Sequence, residues 1–263
     1  MRYILIISLF FILPFCKAQN IREIPFKGSD FTTDHIGFFY VYNNKNIYKY
    51  TDNGKLLFTY SNNQLGDIEK VDVTNPLKII VYYKDFLKLV ILDNTLSISG
   101  DVIDLNTFNF NNIVEISRSY NNGYWLFDIV NQELFRKNEY FETTNSSGNL
   151  SLTLNKEVIP VEIIEYNNKV YLNDTTMGIL VFNQYGNYIK TIPIKGVQNF
   201  QVKDQYMIYT TNQNNAYVYY FMEMEHVPLN FDLYPKIKKI RIENELMYIL
   251  TSDNRLIIKK IDF

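Results

Sequence analysis

Six times along its 263 residues the chain repeats one pattern: a β-type run, an Asn/Asp-rich turn and a second β-type run. The polar residue after the second run marks the register. These markers are Asp52, Asp93, Asn138, Asn183, Met222 and Asp262, with steps of 41, 45, 45, 39 and 40 residues. Met222 is not polar, so its repeat is aligned by the flanking strands alone. A unit of about 40 residues holding several strands is the period of a propeller blade, which must stack on neighbours to bury its faces. The expected fold class is therefore all-β, a six-bladed β-propeller.

The fourth repeat is the clearest. Val161 to Tyr166, Val170 to Leu172, Ile179 to Phe182 and Tyr188 to Ile194 are runs rich in β-branched and aromatic residues. Between them lie Asn167-Asn168-Lys169, a polar bend from Asn173 to Gly178, and a turn from Asn183 to Asn187. Strands bounded by turn formers read this way. In the first repeat Asp52-Asn53-Gly54 is a hairpin signal, because Asn and Gly tolerate positive φ. In the third, Tyr124 to Phe127 and Glu133 to Arg136 read as strands, and Thr143 to Asn149 as a polar insertion that lengthens a loop.

Runs such as Leu89-Val90-Ile91-Leu92 are apolar at consecutive positions, the pattern of strands buried on both faces. Strands of a transmembrane barrel alternate instead. The terminal Phe263 resembles the closing aromatic of such barrels, but the inner runs argue for stacked blades. The last repeat supplies only three strands before the chain reaches Phe263. An open ring would leave two unpaired sheet edges. Ile21 to Phe26 is short, β-compatible and otherwise unassigned, so it is expected to close the last blade as its outer strand.

Arg2, the apolar run from Ile4 to Phe15, and Cys16-Lys17-Ala18 read as a secretory signal peptide over residues 1–18. A single propeller domain then occupies residues 19–263. The apolar run is short for a membrane span, and the mature chain is expected to contain no transmembrane segment. Cys16 opens the alternative of lipidation, although Phe15 and Pro14 stand where lipoprotein signals carry small residues. A cut after Ala18 removes the single cysteine, so no disulfide, zinc-thiolate site or thiol nucleophile is expected. It also leaves a net charge of −4, with 24 basic and 28 acidic residues, which argues against nucleic acid as a partner.

The segments Lys169 to Ile194 and Phe38 to Tyr60 resemble repeats of the six-bladed NHL/YVTN-type propellers. The resemblance is one of pattern and extends over the whole mature chain. The Gly-His and Trp-Asp signatures of WD40 blades are absent. The residue usage, rich in Asn, Lys, Ile and Tyr, and the Ala-Gln junction resemble exported propeller proteins of the Bacteroidota. Asp174-Thr175-Thr176 resembles the O-glycosylation acceptor of such proteins, which implies Thr175 as the modified residue in an exposed bend.

Chemistry-bearing residues are sparse. No nucleophile elbow, His-Glu-x-x-His helix, Walker loop or EF-hand spacing is present, so no cofactor, metal site or catalytic residue is assigned. The two histidines, His35 and His226, are far apart in the sequence. His35 beside Asp34 falls near the first inner strand. The inner strands also offer Asp72, Glu115, Arg118, Glu162, Glu165, Lys203, Arg241 and Glu243. From these the central-channel binding candidates are Asp34, His35, Asp72, Glu115, Arg118, Glu162, Lys203 and Arg241. In lactonase and senescence-marker-type propellers, carboxylates and Asn from such strands hold calcium. Here Arg118, Lys203 and Arg241 interleave with the acids, as expected of compensating charges around a wet axis. Trp125 lies inside an apolar strand and is expected in the core.

The function these features support is non-enzymatic: an exported binding or scaffold propeller, periplasmic or associated with the outer membrane, that acts with another envelope protein. The chain ends inside the propeller, without an appended sorting domain, which favours retention in the periplasm. The alternatives are a propeller hydrolase or lactonase with a channel metal site, or a glycan-binding module. A scaffold implies self-compensated channel charges and exposed aromatics on one face. An enzyme implies converging carboxylates at one mouth of the channel.

Overall fold

A computed structural model describes residues 21–108, 110, 112–229, 231 and 236–261. The signal-peptide reading over 1–18, the Asp262 marker and the Phe263 comparison lie outside these residues. Strand β1 (Ile21–Pro25) comes first and belongs to the last blade. Blade 1 is β2 (Asp30–Thr33), β3 (Phe38–Tyr42), β4 (Asn46–Thr51) and β5 (Leu56–Ser61). Blade 2 is β6 (Lys70–Asp72), β7 (Ile79–Tyr83), β8 (Lys88–Leu92) and β9 (Ile103–Asp104). Blade 3 is β10 (Ile113–Arg118), β11 (Tyr124–Asp128), β12 (Glu133–Lys137) and β13 (Thr143–Asn149), followed by the short helix α1 (Leu150–Leu154). Blade 4 is β14 (Pro160–Tyr166), β15 (Lys169–Asp174), β16 (Gly178–Asn183) and β17 (Tyr188–Ile192). Blade 5 is β18 (Val197–Val202), β19 (Tyr206–Thr211), β20 (Ala216–Tyr220) and β21 (Glu225–Leu229). Blade 6 is β22 (Ile237–Glu243), β23 (Leu246–Thr251) and β24 (Arg255–Lys260), with β1 as its fourth strand. The protein is a six-bladed propeller.

The consecutive apolar runs have the cause expected of them. In β7, Ile79, Val81 and Tyr83 pack against blade 1, while Ile80 and Tyr82 pack against blade 3. In β11, Tyr124 and Leu126 face blade 2, and Trp125 and Phe127 face blade 4. Successive strand side chains point to opposite faces, so a strand with two dry faces must be apolar at every position. Six buried clusters result among the described residues, one in each gap between neighbouring blades. Each large side chain buried there contributes about 1.5–3 kcal/mol.

Closure follows the expectation for the N-terminal strand. β1 pairs antiparallel with β24 from Ile21 opposite Lys259 to Pro25 opposite Arg255. Ile24 also packs into the cluster between blades 6 and 1. Pro25 is tolerated because an outermost strand needs no ladder donor on its free side.

Two readings are corrected. Thr143 to Asn149 is not a loop insertion but β13, the outer strand of blade 3, with two register shifts against β12. An outermost strand is solvated, so Ser, Thr, Asn and Gly serve there and the apolar signature disappears. Asn173 and Asp174 are buried ends of β15 rather than part of a polar bend, and the turn narrows to residues 175–177. Asp174 caps that turn, accepting from the amides of Thr176 at 2.7 Å and Met177 at 2.9 Å. Thr175 is half-buried there.

One feature of the inner strands left no mark in the hydropathy pattern. Four of them carry a register shift after their first residue, between Ile113 and Glu115, Pro160 and Glu162, Val197 and Asn199, and Ile237 and Lys239. The extra residue re-aims the one after it. Glu115, Glu162, Asn199 and Lys239 therefore occupy equivalent positions around the axis.

Deleting residues 21–25 exposes the β24 edge and removes Ile24 from its cluster. The expected result is a melting temperature lower by at least ~5 °C, with concentration-dependent association through the free edge. Calorimetry and size-exclusion chromatography measure both. A monomer of unchanged stability would show that closure by β1 contributes nothing.

Candidate functional site

The turns that follow the inner strands gather on one face of the ring, here called the mouth face. His35, Thr74, Tyr166, Lys203 and Asn244, each just past an inner strand or at its end, line one axial cavity of about 430 Å³. Deeper in, its wall includes Lys70, Asp72, Glu162, Gln201, Arg241 and Glu243.

The charges of this cavity are tied together across blade boundaries. Glu243 is one hub: it accepts from Gln201 Nε2 at 2.7 Å and Thr33 Oγ1 at 3.1 Å. Lys203 Nζ lies 3.1 Å from its Oε2, and Arg241 Nη2 lies 3.6 Å from its Oε1. Arg241 Nε also donates to Thr33 Oγ1 at 2.8 Å, linking blade 6 to blade 1. Asp72 is a second hub. It accepts from the Arg118 amide at 2.7 Å, Ser117 Oγ at 3.2 Å and the Thr74 amide at 2.9 Å. Below it Lys70 pairs with Glu115, and Lys239 pairs with Asp30 at 2.7 Å.

Burial by itself would raise the Asp72 carboxyl. Lys70 and the amides of Arg118 and Thr74 outweigh it and hold the group below its ordinary value. Glu115 behaves oppositely: burial pushes it up to about 7 despite the attraction of Lys70. Burial also raises Glu162, against the opposing pull of Lys70, Lys239 and Arg241. Glu162 accepts only a 3.4 Å contact from the Phe200 amide among the described residues, so little hydrogen bonding holds its charge.

The structure brings Asp34, His35, Asp72, Glu162, Lys203 and Arg241 to one cavity. Asp34 is committed to its own turn, accepting from the amides of Ile36 at 3.1 Å and Phe38 at 2.9 Å and from the Tyr40 hydroxyl at 2.8 Å. His35 is exposed at the mouth. Glu115 is buried beneath the cavity with Lys70 and does not line it. Arg118 lines a separate groove over blade 3, together with Tyr120, Asn122 and Glu165. His226 sits exposed on β21, far out on blade 5. Trp125 is fully buried, as expected, and its Nε1 donates to Glu165 Oε2 at 2.5 Å.

Sequence reasoning missed Lys70, Thr33 and Gln201. A usable signal existed: Lys70 and Glu115 are 45 residues apart, and Gln201 and Glu243 are 42 apart, each about one repeat. Among the described residues no group of three or more His, Cys, Asp or Glu is arranged to hold a metal ion. No described helix is long and apolar enough to cross a membrane.

The fold places the chain among six-bladed propellers, a class that contains both binding scaffolds and enzymes. No protein-family model matches the chain, and no curated protein matches its sequence. Solved structures do resemble it. Virginiamycin B lyase from Staphylococcus aureus superposes with a TM-score of 0.60 at 11% identity, over 92% of this chain and 99% of that one. BamB from Moraxella catarrhalis gives 0.51 at 11%, over 86% and 67%. BBS1N in complex with ARL6DN gives 0.55 at 13%, over 86% and 75%. At such identities the likeness is one of fold.

Glu115 and Glu162 bind protons more readily in the folded chain than at the ordinary glutamate value of 4.5. Their stabilising contribution is therefore full below about pH 4.5 and is lost as pH rises, for Glu115 through about 7. Replacing Glu162 by Gln removes one of these titrations. The melting temperature of Glu162→Gln relative to wild type should be higher at pH 8 than at pH 5, because the raised Glu162 carboxyl costs stability only where it is ionised. Thermal melts at the two values measure it, and an identical difference at both would contradict the assignment.

Proposed function

We propose that the chain is an exported binding propeller that docks another cell-envelope protein on its mouth face. The observation that carries this reading is the apolar character of that face. Ile36, Leu77 and Tyr120 stand exposed in the turns around the cavity, with Leu77 at 66% exposure. Tyr140, Tyr185, Met222 and Met224 stand exposed farther out, in turns between third and fourth strands, which an up-and-down sheet places on the same face. Aromatic and Met side chains are enriched where proteins meet. Hydrophobic residues rimmed by polar groups mark interaction surfaces.

The cavity chemistry supports the same reading. Most lining charges already satisfy one another across blades, which favours a rigid platform over a set of groups poised for reaction. The opposite face also carries exposed apolar residues, Leu152 on α1 among them, and so provides an internal control.

Crosslinked pull-down of the tagged protein from its native envelope, followed by mass spectrometry, tests the proposal. Wild type and Leu152→Asp should recover the same partner in stoichiometric amount, and Leu77→Asp and Tyr140→Asp should lose it. An uncomplexed wild-type monomer, or loss of the partner only in Leu152→Asp, would overturn the assignment of function or of face.

A further inference from the structure

Beside the axial cavity, a groove of about 480 Å³ crosses the mouth face of blade 3. We propose that this groove is a carboxylate-binding subsite, in which Arg118 holds the carboxylate and the Tyr120 ring carries the body attached to it. The inference concerns the chemistry of one groove and does not rest on the docking of a protein partner.

Arg118 is 5% exposed, and no carboxylate approaches its guanidinium closely enough to form an ion pair among the described residues. Its side-chain partners are neutral. Nη2 donates to Asn122 Oδ1 at 2.8 Å, and the guanidinium lies 5.7 Å from the centre of the Tyr124 ring, beside its hydroxyl. Two neighbouring acids, Asp72 and Glu165, are engaged elsewhere. Asp72 takes the backbone amide of Arg118 rather than its guanidinium. Glu165, in the groove wall, accepts from Ser119 Oγ at 2.6 Å, Trp125 Nε1 at 2.5 Å and the Tyr120 amide at 3.3 Å. A buried cation with only neutral partners is costly unless a counter-ion completes it. The flat guanidinium fork matches a carboxylate in two parallel hydrogen bonds.

Tyr120 supplies the second half of the site. The residue is 39% exposed, yet its ring is held firmly from beneath. The guanidinium of Arg136, a residue only 4% exposed, lies 3.7 Å from the ring centre. Arg136 also donates to the Tyr120 carbonyl at 2.6 Å and to Ser119 Oγ at 2.7 Å. A ring already immobilised loses little entropy when a ligand stacks on it. Glu165 repels a second negative charge from the far wall. The ligand is thus oriented with its carboxylate at Arg118 and a neutral, planar or apolar body toward Tyr120.

The test is an NMR titration of the folded chain with benzoate, its uncharged isostere benzamide, and N-acetyl-Gly-Phe with a free C-terminus. The sequence has a single tryptophan, so the Trp125 indole gives one signal, one hydrogen bond away from the groove. Benzoate should shift this signal and the amides of residues 120–123 saturably, and benzamide should bind roughly tenfold more weakly. Arg118→Gln should abolish binding, Arg118→Lys should retain part of it, and the exposed Tyr120→Ala should weaken it several-fold with the rest of the spectrum unchanged. Tighter binding of the peptide than of benzoate identifies a chain terminus as the source of the carboxylate, and the reverse identifies a free organic acid; either order supports the site. Equal shifts by benzoate and benzamide, or no saturable shift with benzoate, would overturn it. Should Arg118→Gln not fold, the benzamide comparison and Tyr120→Ala decide the matter alone.

Discussion

Every sheet in this protein has two faces to keep dry, and the rest of the architecture follows from that requirement. Tyr40 and Tyr42 on β3 serve the gap toward blade 2, while Phe39 and Val41 on the same strand serve the gap toward blade 6. No blade can meet this demand with a single neighbour. Only a closed ring gives each sheet two, so that the edges left unpaired are the short inner and outer edges of each blade. Six separate clusters thus replace the single core of an ordinary domain, and polar residues are pushed to the axis, the outer strands and the turns.

At the axis the geometry turns repetition into chemistry. Equivalent positions on neighbouring inner strands lie side by side, so a side chain finds its partner about one repeat away in the sequence. The ties Lys70–Glu115, Ser119–Glu165 and Lys203–Glu243 span 45, 46 and 40 residues. The last blade reaches the first through Arg241–Thr33 and Lys239–Asp30. Buried polar groups that are fully satisfied rigidify their surroundings. The axial network therefore fixes the angular placement of blades that hydrophobic contact alone would position more loosely. Glu162 is the exception in this network, since three cations surround it without forming an ion pair with it.

The fold was legible because its strongest determinant is local. Two-faced strands such as Leu89 to Leu92 and turns such as Asp52-Asn53-Gly54 carry their signal within a few residues. The solvated strand β13 was not legible, since nothing selects for apolar side chains on an edge that water covers. The channel was legible in membership and less so in placement. Asp72, Glu162, Lys203 and Arg241 line the one cavity, whereas Arg118 lines the neighbouring groove and Glu115 is buried beneath the cavity. Which way an inner-strand side chain points depends on the shift near the start of β10, β14, β18 and β22, and one extra residue leaves no trace in composition. The platform of Tyr120 on Arg136 was invisible for a related reason. Two residues 16 apart meet there only because β12 and the turn after β10 share a blade.

The pairing of Arg22 with Ile258 joins residues 236 apart in the sequence, and that distance sets an order of events. Blades 1 to 5 are each contiguous in sequence and can form their hairpins as soon as they are available. Blade 6 must wait for β1 to find β24, which lies more than 200 residues further along the chain. Loop closure over such a distance adds little thermodynamic cost beyond that of shorter loops, because the cost grows only logarithmically. Kinetically it is the slowest kind of contact to establish. Until it forms, β24 presents a bare edge to any passing strand, so a chain arrested just before closure is the species most exposed to misassembly.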